Sequence, residues 1–340
     1  YNNIFLNQKK DSVIEADTIC LNQKKDSAIK ADNKHMLYNF SCNIKRLGHF
    51  SSIKLLGGDA STKEADITLF SYMMQAKEQG IKIYQETECI QKNVQQDNES
   101  WQKRKLQEMA WKHNINTIYS SSMGRLFDAI SALLEICNYN SYEGECAILL
   151  EQKAHKGKEE FLQLNQKYIQ MEIIEKKQNQ KNKENQKNHE QIELLSNAMF
   201  EKQRCKILPQ NHCDILKMDC KKNDGVWIAD SVKLVVDLYH LKLTNQYSTE
   251  LLAYFFHHAV AMGIVELAEH ICKEHHMTQV ALSGGSFINR ILLTEVMECL
   301  QQKGKQVYIN EKVPCGDGGI ALGQIYLLTF LENQERNCKL

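Results

Sequence analysis

Residues 278–332 read TQVALSGGSFINRILLTEVMECLQQKGKQVYINEKVPCGDGGIALGQIYLLTFLE, and the changes of pattern along them decide the fold. Gln279 to Leu282 is a short β-prone run that Ser283-Gly284-Gly285 breaks. From Phe287 the apolar period becomes helical, with Ile288, Ile291, Leu292, Val296, Cys299 and Leu300 on one stripe. Gly304 stops that helix, Gln306 to Ile309 gives a second strand, and Pro314 to Gly319 a second turn. Ile320, Leu322, Gly323, Ile325, Leu327, Leu328 and Leu331 then form a closing helix too apolar to be exposed all round. The stretch predicts strand, glycine turn and helix, twice over.

That arrangement suits phosphate. A helix N-terminus presents unpaired N–H groups and the positive end of its dipole, and glycines without Cβ atoms let phosphate oxygens approach. Gly284 and Gly285 form one such turn, with Asn289 in the first turn of the helix that follows. Asp317 lies between glycines of the other, where a carboxylate holds a divalent ion against a polyphosphate. The plainer alternative, that these glycines only end strands, stays open on this pattern alone.

Composition bounds the rest. A chain of 340 residues can enclose one large or two modest cores. Lys+Arg and Asp+Glu stand at 42 each, so no charge excess asks for nucleic acid or an anionic membrane. The 12 cysteines include no CxxC pair and read as reduced thiols of a cytoplasmic protein. Cys205, His212, Cys213 and Cys220 come nearest to a metal cluster, but their spacings fit no tight zinc pattern. The apolar run Leu251 to Val265 is too short to span a bilayer. The chain starts at Tyr1 and shows no signal peptide, which suggests a fragment.

In chain order, Leu6 to Asp17 repeats nearly verbatim as Leu21 to Asp32, and a polar unit of this kind buries no core. Residues 1–36 are therefore expected to be a duplicated low-complexity leader. Residues 37–152 form the first part of a globular lobe, with short strands over Met36 to Cys42 and Ile44 to Leu56. Gly57-Gly58-Asp59 makes a turn after them. Helices follow over Ile67 to Ala76 and Ser100 to His113, joined by a polar stretch around Asn93 to Asn98. Three serines then end a segment at Tyr119, Met123-Gly124-Arg125 turns, and Leu126, Phe127, Ile130, Leu133 and Leu134 repeat at helical spacing, which puts Arg125 and Asp128 near a helix start. On this pattern Asp128 reads as an exposed first-turn acid. Residues 153–211 are a Lys/Asn/Gln-rich insertion, either a solvated helix or disordered. Residues 212–332 complete the lobe, with helices over Ser231 to Tyr239 and Thr249 to His275. His257 and His258 fall in the second of these, where packing is the expected role.

Several of these stretches carry a family resemblance. LSGGSFINRIL at 282–292 and VPCGDGGIALGQ at 313–324 resemble the closing motifs of the hydrogenase-maturation carbamoyltransferases, the HypF family. The likeness continues upstream through LLGGDA at 55–60, SSMGRLFDAISALL at 121–134, SYEGECAILLE at 141–151 and FHHAVAMGIVE at 256–266. The transferases that make threonylcarbamoyl-adenosine on tRNA share the glycine turns but lack the GGDA and SSMGRLFDA forms.

The resemblance implies an α/β fold of the actin-like ATPase type, a mixed sheet with flanking helices, with the first lobe largely missing. It implies carbamoyl transfer from a carbamoyl-adenylate, made from carbamoyl phosphate and ATP, to the C-terminal Cys thiol of a partner maturation protein. By the same resemblance Gly284, Gly285 and Asn289 cradle phosphate, and Asp128, Glu143 and Gly144 hold the adenosine end. The resemblance also gives Asp317 a divalent metal (Zn, Fe or Mg), while the planar fork of Arg125, by its own chemistry, suits a carbamoyl or phosphate oxyanion. His257 is structural. The family's metal site also uses an HxxxH pair, and this sequence contains none. A non-catalytic nucleotide-binding remnant or scaffold, and the tRNA-modifying transferase, are the alternatives; the missing upstream domains are expected partners, and a membrane is not.

Overall fold

The computed structural model describes residues 19–21, 44–83, 98–182 and 215–326. The strand expected over Met36 to Cys42, the polar linker near Asn93, most of the leader, the insertion beyond 182, and Cys205, His212 and Cys213 lie outside these residues. Mixed α/β architecture follows from four small sheets and the helices that cover them. Strands β1 (Ile19–Leu21) and β2 (Ile44–Arg46) pair antiparallel. Strand β3 (Gly48–Phe50) runs parallel to β7 (Val226–Ala229), which pairs antiparallel with β6 (Cys220–Asn223). Strand β4 (Ile53–Leu56) is antiparallel to β5 (Thr117–Ser120), while β8 (Gln279–Leu282) and β9 (Gln306–Ile309) run parallel.

Among the described residues seven helices carry the core: α1 (Ala65–Glu78), α2 (Asn98–Lys112), α3 (Met123–Leu133), α4 (Glu145–Asn182), α5 (Ser231–Leu243), α6 (Thr249–Glu274) and α7 (Arg290–Gln302). Their starts are legible. Ser122, Asp230, Ser248 and Asn289 each accept a backbone N–H three residues on, the N-cap bond that satisfies an orphan donor. Gly304, at φ +75°, ends α7 in the left-handed conformation that glycine adopts without strain.

Helix α6 is the spine. Its 26 residues bury Leu252, Phe256, Val260, Leu267 and Ile271 on several sides. The helix matches the expected Thr249 to His275 to within one residue, but it extends well past the apolar run Leu251 to Val265, and by length and composition alone it could cross a membrane. Within the chain 83% of its most apolar window is buried, so its apolar surface is spent on the core.

Helix α4 crosses residue 153 without a break. Ala154 and Phe161 are buried, so the opening of the Lys/Asn/Gln-rich segment contributes to the core. Phe161 meets Tyr254 and Phe255 of α6 at ring centroid distances of 5.6 and 6.1 Å. Between them Gly157 lies flat on the α6 backbone: a Cβ built there would sit 1.9 Å from the Glu250 carbonyl oxygen.

The closing helix differs from expectation. Residues 320–326 are helical but exposed at every position, Ile325 by 58%, and the remainder to Leu331 lies outside the described residues. Ile288, expected on the buried stripe of α7, precedes that helix and is 66% exposed; the turn at 285–288 is 3₁₀, which rotates Ile288 outward and leaves Phe287 facing the core.

Because Glu250 is backbone and cannot move aside, Gly157→Ala is expected to lower stability by about 1–3 kcal/mol, even though alanine is the better helix former. Urea denaturation of the two proteins measures it, and an unchanged midpoint would mean that α4 and α6 do not approach this closely.

Candidate functional site

Parallel pairing of β8 and β9 aligns Leu282 with Ile309, so both strands end at the same level and both turns emerge side by side. The Gly284 N–H donates to the Cys315 carbonyl at 2.9 Å, which joins the turns directly. A Cβ at Gly316 would lie 3.8 Å from Gly285 Cα. Gly284 has φ +110°, a backbone shape that side chains resist. Gly285 is different: a Cβ there meets nothing within 4 Å. The space beside it is open, and Asp317 begins the 3₁₀ turn across from it.

Asn289 is more committed than its motif suggests. Its Oδ1 accepts the Leu292 N–H at 3.0 Å, and its Nδ2 lies 2.9 Å from Nε2 of the fully buried His257. His257 Nδ1 is 2.7 Å from the Ala253 carbonyl, so that nitrogen carries the proton and Nε2 accepts from Asn289. Burial pushes the His257 pKa down to about 4, despite the carbonyl contact and the Glu295 charge. The expected packing role of His257 is thus specific: a neutral imidazole that fixes the amide orientation of Asn289.

Helix α7 has a second cap. Glu151 Oε1 accepts the Arg290 N–H at 2.7 Å, placing a carboxylate where the helix dipole favours an anion. Beside it, His258 and Lys158 both reach Glu295, at 2.8 and 3.1 Å. Burial alone would raise the Glu295 carboxyl, but the hydrogen bonds and charges of His258 and Lys158 outweigh it and hold the pKa low.

The second cluster sits where three motif stretches meet. Asp128 is not an exposed first-turn acid: it is buried, because the outer turn of α3 is roofed by the Gly58–Thr62 and Asn140 segments. Arg125 Nη2 pairs with Asp128 Oδ2 at 3.0 Å, and Nη1 donates to the Ser61 carbonyl at 2.9 Å. Asn140 then ties everything together. Its Nδ2 lies 3.2 Å from Asp128 Oδ1 and 3.0 Å from the Thr62 carbonyl, while its Oδ1 accepts the Cys146 N–H at 2.8 Å. Sequence reasoning missed Asn140, whose only signal was a turn-rich NYNSYEG context.

Glu143 is exposed and Gly144, at φ +79°, turns the chain into α4. From Glu145 to Glu151 the helix rises about 9 Å. One end of α4 therefore carries Glu143 and Gly144, and its second turn caps the helix behind Gly284 and Gly285. The structure joins Gly284 and Gly285 to Cys315 and Gly316, the residues that lead into Asp317, gathers Arg125 and Asp128 around Asn140, and links the two groups through α4. The Asp59 side chain lies outside the described residues. Among the described residues no group of three metal-ligating side chains forms, so Asp317 stands as a single carboxylate.

Glycine turns at the carboxyl ends of adjacent parallel strands are where open α/β proteins bind ligands, and the sheets and helices here make the chain an α/β protein. The family model described as "Carbamoyltransferase, Kae1-like Domain, second subdomain" matches residues 35–212 and 197–324. That is more than half of the chain, and the chain belongs to this carbamoyltransferase family. It is 25% identical over 281 residues to the probable carbamoyltransferase HypF of Methanocaldococcus jannaschii, covering 83% of this chain and 28% of that protein. A HypF homolog of Cupriavidus necator is 40% identical over 75 residues, 22% of this chain and 19% of its own length. Full-length HypF in a phosphate- and nucleotide-bound form shares the fold at TM-score 0.58 and 24% identity, covering 83% of this chain and 28% of that one. T. kodakarensis HypF does so at TM-score 0.57 and 22% identity, over 85% and 30%. The chain spans less than a third of the length of these HypF proteins.

Two outcomes test the geometry. The unfolded chain takes up a proton at His257 near pH 6.5 and the folded chain only near 4, so the unfolded state binds more protons between those values. Stability contributed by neutral His257 is complete above about pH 6.5 and falls toward pH 4 by up to about 3 kcal/mol. Urea midpoints across that range should show this slope flattened in His257→Gln. Separately, Asn140→Ala leaves buried partners unsatisfied and is expected to cost about 3 kcal/mol in the same measurement, with Asn140→Ser recovering part of it.

Proposed function

We propose that this chain is the nucleotide-facing second subdomain of a carbamoyltransferase of nickel-iron hydrogenase maturation. It moves a carbamoyl group from a carbamoyl-adenylate, formed from carbamoyl phosphate and ATP, to the C-terminal Cys thiol of a partner maturation protein in the cytoplasm. The observation that carries the reading is the join of the two glycine turns, Gly284 N–H to Cys315 carbonyl, beside the open space at Gly285. In that space phosphate oxygens approach backbone that has no Cβ to repel them.

The roles of the remaining residues follow from their neighbours. Gly284 and Gly285 face the phosphates; Asn289, held by His257, shapes the turn rather than reaching out of it. Glu143 and Gly144 lie toward the adenosine end, with Asp128 acting through Arg125 and Asn140. Arg125 keeps donors beyond its two observed contacts, since a guanidinium has five N–H groups. Asp317 offers one carboxylate to a divalent ion (Zn, Fe or Mg), and the nucleotide's oxygens together with an actin-like first lobe supply the other ligands. The partner's thiol attacks the activated carbonyl, so the chain's own contribution is orientation and charge stabilisation. The exposed apolar side chains of Ile288, Ile320, Leu322 and Ile325 beside the turns suit packing against that first lobe. A nucleotide-binding remnant without catalysis is the competing reading, and the solitary carboxylate is what favours it.

Calorimetric titration of adenine nucleotide with Mg²⁺ tests the site. Gly285→Val places its branches into open space, so the chain is expected to keep its urea midpoint within about 1 kcal/mol while losing nucleotide binding at least about tenfold, a difference of roughly 1.4 kcal/mol. Asp317→Ala should weaken binding only when Mg²⁺ is present. Binding untouched by Gly285→Val would move the nucleotide elsewhere. Carbamoyl transfer restored by adding a separate first lobe would exclude the remnant.

A further inference from the structure

One side-chain pair is used by none of the roles above. Cys137 follows the end of α3 and Cys146 opens α4, nine positions apart, and their sulfurs lie 3.0 Å from each other. Cys146 is buried among Ala65 and Ala132, while Cys137 is partly exposed. Between them runs the loop that holds Asn140, Glu143 and Gly144. The two sulfurs meet at the base of that loop: Cys146 Sγ also lies 3.6 Å from the Cys137 carbonyl, and Cys137 Sγ, on the solvent side, lies 3.2 Å from the Tyr139 carbonyl.

We propose that Cys137 and Cys146 are a redox-modification site, forming a reversible disulfide that fastens the base of the Asn140–Gly144 loop. A bond requires the sulfurs to close by only about 1 Å, within the reach of side-chain torsions at the loop ends. The chemistry is thiol–disulfide exchange with a small disulfide such as oxidised glutathione. The accessible Cys137, as thiolate, attacks one sulfur of the reagent and expels the first small thiolate. Cys146 then gives its proton to solvent and attacks Cys137 Sγ, which breaks the mixed disulfide and releases the second small thiol. Two protein thiols are oxidised and one small disulfide is reduced to two thiols. Burial, the Cys137 contact and the charges of Asp128 and Glu145 hold the Cys146 thiol protonated. The second step is therefore the slow one, and proximity is what makes it proceed.

The bond would clamp the two ends of a loop whose Asn140 bridges Thr62 and Asp128 and whose Gly144 launches α4. Its bearing on nucleotide affinity rests on the proposed function, whereas the disulfide is tested without nucleotide. The folded full chain is incubated with oxidised glutathione, its remaining thiols are blocked with an alkylating reagent, and it is digested and mapped by mass spectrometry. A linked peptide containing Cys137 and Cys146 is expected, absent from Cys137→Ala and Cys146→Ala and lost on treatment with dithiothreitol. Cys146→Ala should instead retain glutathione on Cys137. Backbone hydrogen exchange over residues 138–145 should slow by at least about tenfold in the oxidised chain, as expected of a closed loop. Glutathione still on Cys137 of the unmutated chain after the reaction has reached equilibrium, a link that forms only in denaturant, or a link without slower exchange would each overturn the proposal.

Discussion

Burial of helix α6 is the constraint on which the rest depends. Its 26 residues are too apolar to leave in water, and covering them fixes what surrounds them. Phe256 packs edge-on to Phe127 of α3 at 5.1 Å, and Tyr254 and Phe255 receive Phe161 of α4. Gly263 lets Met218 close within 2.8 Å of where a side chain would begin. Glu274 at the far end takes Lys222 and the Trp227 indole N–H, which ties in the β6–β7 hairpin. From this same helix His257 reaches Asn289, so the position of the first glycine turn is set by the packing of the core.

Several residues that carry the family's sequence motifs act here as struts. Asn289 has both ends of its amide occupied, and Asp128 lies beneath Arg125 and Asn140. The physical logic is that a backbone turn can present N–H groups to an anion only if it is held rigid, and polar side chains buried beside it must all find partners. Gly285, Glu143 and Asp317 face outward in the absence of such ties. The division between residues that support the site and residues that face it is therefore visible in the hydrogen bonds, and the motif strings do not distinguish them.

Much of the fold was legible because it depends on spacing along the chain. Strands β8 and β9, helix α7, its stop at Gly304, and helices α1, α2, α5 and α6 follow from periods of two or 3.6 and from caps next to them. Helix α3 was legible from its apolar spacing, but it starts at Met123, inside the tripeptide read as a turn, because Ser122 caps it there. The closing helix was legible as a helix but not in its exposure, since periodicity reports which face is apolar and not whether another element covers it.

The sequence by itself determined strands β8 and β9, most of the helices, the two glycine turns and the family, but not strands β1, β6 and β7 or the length of α4. Only the tertiary structure decided that Gly284 bonds to Cys315, that Glu151 caps a helix 139 residues later, and that Asn140 joins Thr62, Asp128 and Cys146. It also decided that Ile288 faces outward and Asp128 inward, against what their local patterns suggested. The reason is range: helical and strand periods are set by neighbours a few residues apart. A hydrogen bond across the fold exists only once the burial of α6 has brought its partners within about 3 Å.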